Sequence, residues 1–166
     1  MYLFYLYIDL VNEKKLLKFA VDYLSKYDSS KKNLMDVLKR KIFRLDVPGQ
    51  EKGKLINTLE NIIIKLEQNN LIDDDKYCSA KIYSLSRSGK SKNFIVNYLI
   101  KKGVGKLEIQ NNFQIFEESN NNWELNSAKL FAKKKNLLES SDSYEKKLSK
   151  MARAGFSYEI CKVILN

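Results

Sequence analysis

The ten residues from Gln68 to Tyr77, QNNLIDDDKY, separate two apolar helical patterns and organise the chain around their junction. Asp73 or Asp74 can accept hydrogen bonds from the free amides in the first turn of the following helix. Their negative charge also complements the positive end of the helix dipole. Leu71 and Ile72 precede this cap, where an apolar residue can pack back onto the helix. The stretch therefore predicts a capped helix start at a junction.

Three consecutive carboxylates, Asp73 to Asp75, also raise the question of a metal site. A calcium loop needs further oxygen ligands and a glycine at defined later positions, and this stretch has neither. We therefore expect no metal and no cofactor here, and we interpret the stretch as a structural junction between two helices.

Composition favours a helical protein. The 166 residues are 44% hydrophobic, with one proline and six glycines, so a sizeable core and few helix breaks are expected. Histidine is absent, which excludes histidine-based triads, imidazole general bases and histidine metal ligands. Cys78 and Cys161 lack zinc-site spacing, and each is expected to fill an apolar helix face in a reducing compartment.

The apolar segment from Met1 to Ile8 is too short to span a bilayer and lacks the basic leader and cleavage site of a signal peptide. We expect an extra packing segment or a misassigned start codon there. No other stretch approaches transmembrane length, so a soluble, cytoplasmic protein without membrane contact is predicted, and we expect a monomer.

Apolar residues recur at helical spacing in nine segments. These lie at about 13–27, 34–42, 55–66, 74–87, 91–101, 107–116, 123–136, 144–154 and from 157 to the end. They fall into three sets of three, and each middle helix ends alike, in an apolar residue followed by basic residues. These marks are about 60 and about 50 residues apart, as in repeated supersecondary units.

The expected fold is therefore all-α, with three tandem three-helix repeats in an elongated, curved, right-handed-type array with a basic concave side. After an unassigned extension at 1–12, the repeats occupy 13–70, 71–119 and 120–166. Three short helices bury little area alone, so neighbouring repeats must pack on one another. The predicted markers of the repeats are Leu71, Asp73, Asp74, Gly103, Gly155 and Phe156.

Basic clusters are the main candidates for function, because the formal net charge of +10 attracts polyanions. Lysines also decorate solvated faces and helix ends, so no single one is diagnostic. Their recurrence at equivalent places favours a row of cations that tracks phosphates or an acidic groove. The predicted binding residues are Lys39, Arg40, Lys41, Arg44, Arg87, Lys90, Lys92, Lys101, Lys102, Lys106, Lys133, Lys134, Lys135 and Arg153.

Two other nucleic-acid signals are weaker. Trp123 and the ten tyrosines can stack bases, but most lie at helical spacing with apolar residues and are expected in the core. The segment from Arg87 to Ser91 contains Gly-Lys-Ser, yet it lacks the first glycine and the preceding strand of a phosphate-binding loop.

Four motifs in order resemble the RecX family of recombination regulators over roughly residues 16 to 166. The opening motif combines 20–25 with Ser29 and 34–41. The central motif is 71–74 followed by Tyr77. The second repeat matches at 87–90 and 99–103, and the closing motif is Arg153-Ala154-Gly155-Phe156-Ser157 within 148–160. The first repeat departs from the pattern, with Ile42 in place of a glycine-like stop and an insertion after it.

The resemblance implies a non-enzymatic protein that binds RecA in the groove of its filaments on single-stranded DNA. There it would limit filament growth, strand exchange, nucleotide hydrolysis and LexA-type coprotease activity. Two alternatives remain open from the residues themselves: a stand-alone helical nucleic-acid-binding protein, and a repeat scaffold for another protein. An enzyme is not expected, because no nucleophile motif or paired carboxylate accompanies 73–75.

Overall fold

The computed structural model describes the backbone of residues 2–166 and the side chains of residues 13–166. This backbone contains nine α-helices and no strand, so the predicted all-α class is confirmed. The helices are α1 (Tyr2–Leu24), α2 (Lys31–Phe43), α3 (Gly49–Gln68), α4 (Asp74–Ser86), α5 (Lys92–Lys101), α6 (Lys106–Ser119), α7 (Trp123–Lys134), α8 (Tyr144–Arg153) and α9 (Tyr158–Leu165).

Two helices, α1 and α3, differ most from their predicted bounds. The backbone of α1 already begins at Tyr2, so the unassigned extension at 2–12 continues the first helix, while the side chains of 1–12 lie outside the described residues. Helix α3 begins at Gly49 because Pro48 occupies the N-cap, with a φ of −54° that suits a helix start. The apolar pattern marks only the later, buried part of α3, from Leu55 onward.

Residues Met1–Tyr77 form one compact unit. In it α2 and α1 each pack against α3, and their apolar stripes close a single core. The core contains Leu16, Ala20, Leu34, Leu38, Ile42, Leu55, Leu59, Ile62, Ile63, Leu66 and Ile72. The apolar residue that precedes the Asp73 cap, Ile72, is thus buried, while Leu71 is half exposed.

Residues Cys78–Asn166 form the second compact unit. Helix α9 packs against α7 and α8, and their core contains Ala128, Ala132, Leu137, Met151, Phe156, Cys161 and Ile164. The earlier helices of this unit bury Cys78, Ile82, Ile95, Leu99, Ile109 and Phe113. Both cysteines are buried free thiols, and burial raises the pKa of Cys161.

The middle helices of the predicted repeats all begin by one pattern, and two of them also end alike. Ser30, Ser91 and Ser143 cap α2, α5 and α8 by accepting an amide hydrogen bond from the first turn. Gly103 and Gly155 follow α5 and α8 with φ values of 82° and 90°. This left-handed conformation suits glycine and closes a helix.

Helix α2 ends differently from α5 and α8. All three helices have a right-handed C-cap residue, Arg44, Lys102 or Ala154. The difference lies at the next position, where α2 has Leu45 without a positive φ and the other two have a left-handed glycine. The departure in the first repeat is therefore a helix end without a glycine turn. The three-repeat division itself stays a prediction beside the two compact units.

No helix in the described part of the chain is both long and apolar enough to cross a membrane.

Candidate functional site: basic helix ends and the junctions that position them

The Asp73–Asp74 pair joins α4 to the start of α2. Asp73 Oδ1 accepts hydrogen bonds from the amides of Asp75 and Lys76, at 2.9 and 3.1 Å, and so caps α4 as the sequence predicts. Asp74 points elsewhere, because its Oδ1 accepts a 2.7 Å bond from the backbone amide of Lys31, the first residue of α2. Each carboxylate therefore satisfies the start of a different helix.

Lys31 completes this first junction with its side chain. Its Nζ lies 2.6 Å from Glu67 Oε1, near the end of α3. The amide and the ammonium of one lysine thus contact two different helices, α4 and α3. Because Ser30 caps the same helix start, the position of α2 is fixed by three polar contacts at one end.

The same arrangement recurs in the second unit, at Lys92, the first residue of α5. Its backbone amide donates to Glu124 Oε1 at 2.8 Å, and its Nζ lies 2.7 Å from Glu117 Oε1. Glu124 is in the first turn of α7 and Glu117 is near the end of α6. Lys31, Glu67 and Asp74 therefore correspond to Lys92, Glu117 and Glu124, an arrangement compatible with the predicted repeat.

The fold shifts the pKa values of Asp73 and Asp74 in opposite directions. Hydrogen bonding to the Lys76 amide lowers the pKa of Asp73 below its ordinary value. Burial raises the pKa of Asp74, against the opposing effects of the Lys31 amide and charge. Asp73 is therefore stabilised as a carboxylate, whereas half-buried Asp74 is held as a carboxylate at a desolvation cost.

Helix α8 meets α5 end to end. Ser91 Oγ, at the α5 cap, donates a 2.7 Å bond to the carbonyl of Ala154, and Asn93 Nδ2 donates a 3.1 Å bond to the carbonyl of Gly155. A Cβ atom on Gly155 would lie 2.6 Å from Ser91 Oγ, so this approach requires glycine. The basic end of α8 therefore lies at the start of α5.

This packing separates two of the predicted basic clusters by the length of α5. Arg153 ends α8, beside the start of α5, and Lys101 and Lys102 lie at the opposite end of α5. Ten helical residues rise about 15 Å, which sets the approximate spacing between these charges. Arg153 and Lys101 are exposed, and Lys101 makes no salt bridge within the described residues.

A second pair of basic clusters is brought together in the same unit. Lys134 Nζ, at the end of α7, donates a 3.0 Å bond to the carbonyl of Ser88, in the turn after α4. Ser127 Oγ bonds to the carbonyl of Lys90 at 2.8 Å, so that turn packs along α7. The predicted clusters at 87–90 and 133–135 thus adjoin one another.

In the first unit, the predicted cluster lies at the end of α2. Arg40, Lys41 and Arg44 are exposed, and Lys39 is partly exposed. Lys41 Nζ lies 5.2 Å from the centroid of the Phe19 ring, a cation–π contact that leaves its charge at the surface. These cations follow the last turn of α2, where the negative end of the helix dipole favours them.

The predicted basic residues are not all equivalent. Lys92 is compensated by Glu117 and belongs to the junction, a role that sequence reasoning missed together with Lys31 and Glu124. A signal was available in two of the Ser-Lys pairs, Ser30-Lys31 and Ser91-Lys92, which stand at the same place in the first two predicted repeats. Lys106 lies exposed at the start of α6, where its charge opposes the helix dipole.

No protein-family profile matches the chain. It is 30% identical over 155 residues to the regulatory protein RecX of Myxococcus xanthus (strain DK1622), covering 89% of this chain and 82% of that protein. It is also 30% identical over 120 residues to the regulatory protein RecX of Clostridium perfringens (strain SM101 / Type A), covering 69% of this chain and 55% of that protein.

Two crystal structures share the fold. RecX from Lactobacillus salivarius superposes with a TM-score of 0.67 at 23% identity, covering 94% of this chain and 96% of that one. A structure of regulatory protein RecX gives a TM-score of 0.69 at 21% identity, covering 95% of this chain and 73% of that one.

Proposed function

This chain belongs to the RecX family of regulatory proteins, and from that premise we propose that it binds RecA filaments on single-stranded DNA. There it restrains RecA as recombinase, ATPase and coprotease activator. It acts as a binding protein, without chemistry of its own, from the cytoplasm. Its contacts are made by the basic ends of α2, α5 and α8 together with the clusters at 87–90 and 133–135.

The observation that carries this proposal is the recurrence of cations at the ends of the middle helices. Helix α2 ends in Arg40 and Lys41, α5 in Lys101 and α8 in Lys150 and Arg153. The three middle helices together carry few carboxylates, only Asp36 and Glu145. Repeated cations on a protein of net charge +10 suit a partner with repeated negative charge, which a nucleoprotein filament provides.

A RecA ATPase assay tests the proposal. We expect substoichiometric protein to lower the rate of ATP hydrolysis by RecA on single-stranded DNA, and to sediment with the filaments. An unchanged rate together with no sedimentation contradicts it. If the protein binds the DNA alone, with an affinity that RecA does not alter, the chain is instead a stand-alone nucleic-acid-binding protein.

A further inference from the structure

A cavity of about 340 Å³ lies among α4, the end of α6 and the first turns of α7. It lies wholly within the second compact unit. Its size is at the lower end of the range for small-molecule sites, so it suits a single ring and its attachments. The side chains that matter are Tyr83, Arg87, Phe116, Asn120, Trp123 and Asn126.

The lining is aromatic and cationic, and no carboxylate contributes to it. Trp123 is held by two neighbours, Phe113 at 5.9 Å and Phe116 at 5.5 Å between ring centroids. Its Nε1 donates to Glu117 Oε1 at 3.2 Å, and Glu117 also pairs with Lys92. Because the indole N–H is used, Trp123 offers a ligand its ring and not a hydrogen bond.

Tyr83 and Arg87 form a preassembled platform at the edge of the cavity. Arg87 Nη1 donates to the Tyr83 hydroxyl at 2.5 Å, and the guanidinium carbon lies 5.1 Å from the ring centroid. Half of the Tyr83 surface is nevertheless exposed. Arg87 retains further N–H donors for an anion, and stacked arginine planes also suit nucleobases.

Two side-chain amides complete the lining. Asn126 is exposed, and its side chain makes no hydrogen bond with the described residues, so both its donor and its acceptor are available. Asn120 donates its Nδ2 to the carbonyl of Phe116 at 2.8 Å, which leaves its oxygen as an acceptor. These groups match the polar edge of a flat ring.

Building on the proposed function, we propose that this cavity binds one base of single-stranded DNA. The base stacks on the Tyr83–Arg87 platform and Trp123, its edge meets Asn126, and Arg87 contacts the adjoining phosphate. An acidic peptide without a ring would leave the aromatic surface unused. A wholly apolar ligand would leave the arginine and the amides unpaired, which is costly. A base attached to a phosphate satisfies every group.

Because Trp123 is the only tryptophan in the sequence, the tryptophan fluorescence of the chain reports on this cavity. We expect fifteen-nucleotide oligothymidylate, titrated into the full-length chain without RecA, to quench Trp123 emission. An oligonucleotide of the same length with abasic sites keeps the phosphates, and should bind at least about tenfold more weakly because stacking is lost. Equal affinity and equal quenching by both strands would overturn the proposal.

Variants separate the cavity from general charge attraction. Tyr83→Ala and Asn126→Ala should each weaken oligothymidylate binding, the former about tenfold, with little change in affinity for the abasic strand. Tyr158→Ala removes a similarly exposed tyrosine from α9, outside the cavity, and should bind as the wild type does. If Tyr158→Ala and Tyr83→Ala lose the same affinity, the cavity is not the site.

A comparison with a free nucleotide identifies the source of the base. Thymidine monophosphate should bind far more weakly than the oligonucleotide, since only the strand also reaches neighbouring cations. Equal affinity would make the cavity a free-nucleotide site and overturn the proposal. The RecA ATPase assay does not depend on base binding in the cavity. If the chain inhibits RecA but does not bind the base, only the cavity proposal is rejected and the proposed function stands.

Discussion

Asp73 and Asp74 are adjacent in sequence and have different structural roles. Asp73 caps its own helix, α4, through two amides. Asp74 reaches the first amide of α2, 43 positions earlier in the chain. The local cap follows from spacing rules and could be predicted from the sequence. The partner of Asp74 could not, because it depends on how α2 and α4 pack.

Replacing Asp73 by Ala should lower the free energy of unfolding by about 1 kcal/mol at pH 7, because two first-turn amides lose their acceptor. The lowered pKa of Asp73 means that its contribution is present above the ordinary aspartate pKa of about 3.9 and is lost as pH falls through the folded-state pKa. Urea unfolding should therefore show a smaller difference in stability between the wild type and Asp73→Ala at pH 3 than at pH 7. Asp46→Ala, at an exposed loop position, is the control, and an equal effect there would contradict the capping role.

Asp74→Asn and Asp74→Ala should differ. Asparagine keeps an acceptor for the Lys31 amide and removes a half-buried charge, so its stability should match or exceed that of the wild type. Alanine leaves that amide without its acceptor and should cost about 1–2 kcal/mol. Because burial raises the pKa of Asp74, its protonation favours the folded state as pH falls toward that pKa. Equal losses for both variants in urea unfolding at pH 7 would show that the charge itself is required.

Gly155→Ala should destabilise the chain by more than about 1 kcal/mol, since φ is 90° and the new Cβ would collide with Ser91 Oγ. Gly53→Ala is the matched control. It lies inside α3 with no atom within 4 Å of its added Cβ, and should stabilise by up to about 1 kcal/mol. Thermal unfolding followed by circular dichroism measures both, and similar melting temperatures would contradict the close approach.

At the scale of elements, the apolar period predicted the helices but not all of their limits. Helix α3 starts at Gly49, before its first core residue, Leu55, because the opening turn does not face the core. Helix α1 starts before Glu13, where the sequence suggested only a packing segment. Periodicity indicates the buried part of a helix, whereas caps and tertiary contacts fix its ends.

The end of α5 provides the sharpest test of the proposed binding surface. The double variant Lys101→Glu, Lys102→Glu should weaken sedimentation with RecA filaments several-fold and keep wild-type helical content. Lys14→Glu, Lys18→Glu makes the same change in net charge on exposed positions of α1 and serves as the control. Equal weakening by both pairs would indicate a general charge effect. A collapse of helicity in the first pair would make those lysines structural.

At the scale of the whole molecule, charge predicted a class of partner and not a site. Recurring cations at the ends of middle helices were visible in the sequence, as at Lys101 and Arg153. The cavity beside Tyr83 was not, because it needs α4, α6 and α7 to converge. Nor was the compensation of Lys92, since Glu117 lies 25 positions away.

Salt should control nucleic-acid binding by the whole chain. The logarithm of the affinity for oligothymidylate should fall linearly with the logarithm of salt concentration, with a slope of about −0.7 for each phosphate neutralised. The Arg87→Gln variant should lose about one phosphate contact, so its slope should be less negative by about 0.7. Lys14→Gln is the matched neutralisation on α1 and should leave the slope unchanged. A slope near zero for the wild type would contradict phosphate binding.

The junction at Lys31 also has a consequence for the order in which the chain is made. The amide at the start of α2 donates to Asp74, and that at the start of α5 donates to Glu124. Both carboxylates are made later than the helix that they contact. During synthesis we therefore expect each of these helix starts to gain this acceptor only after α4 or α7 has left the ribosome.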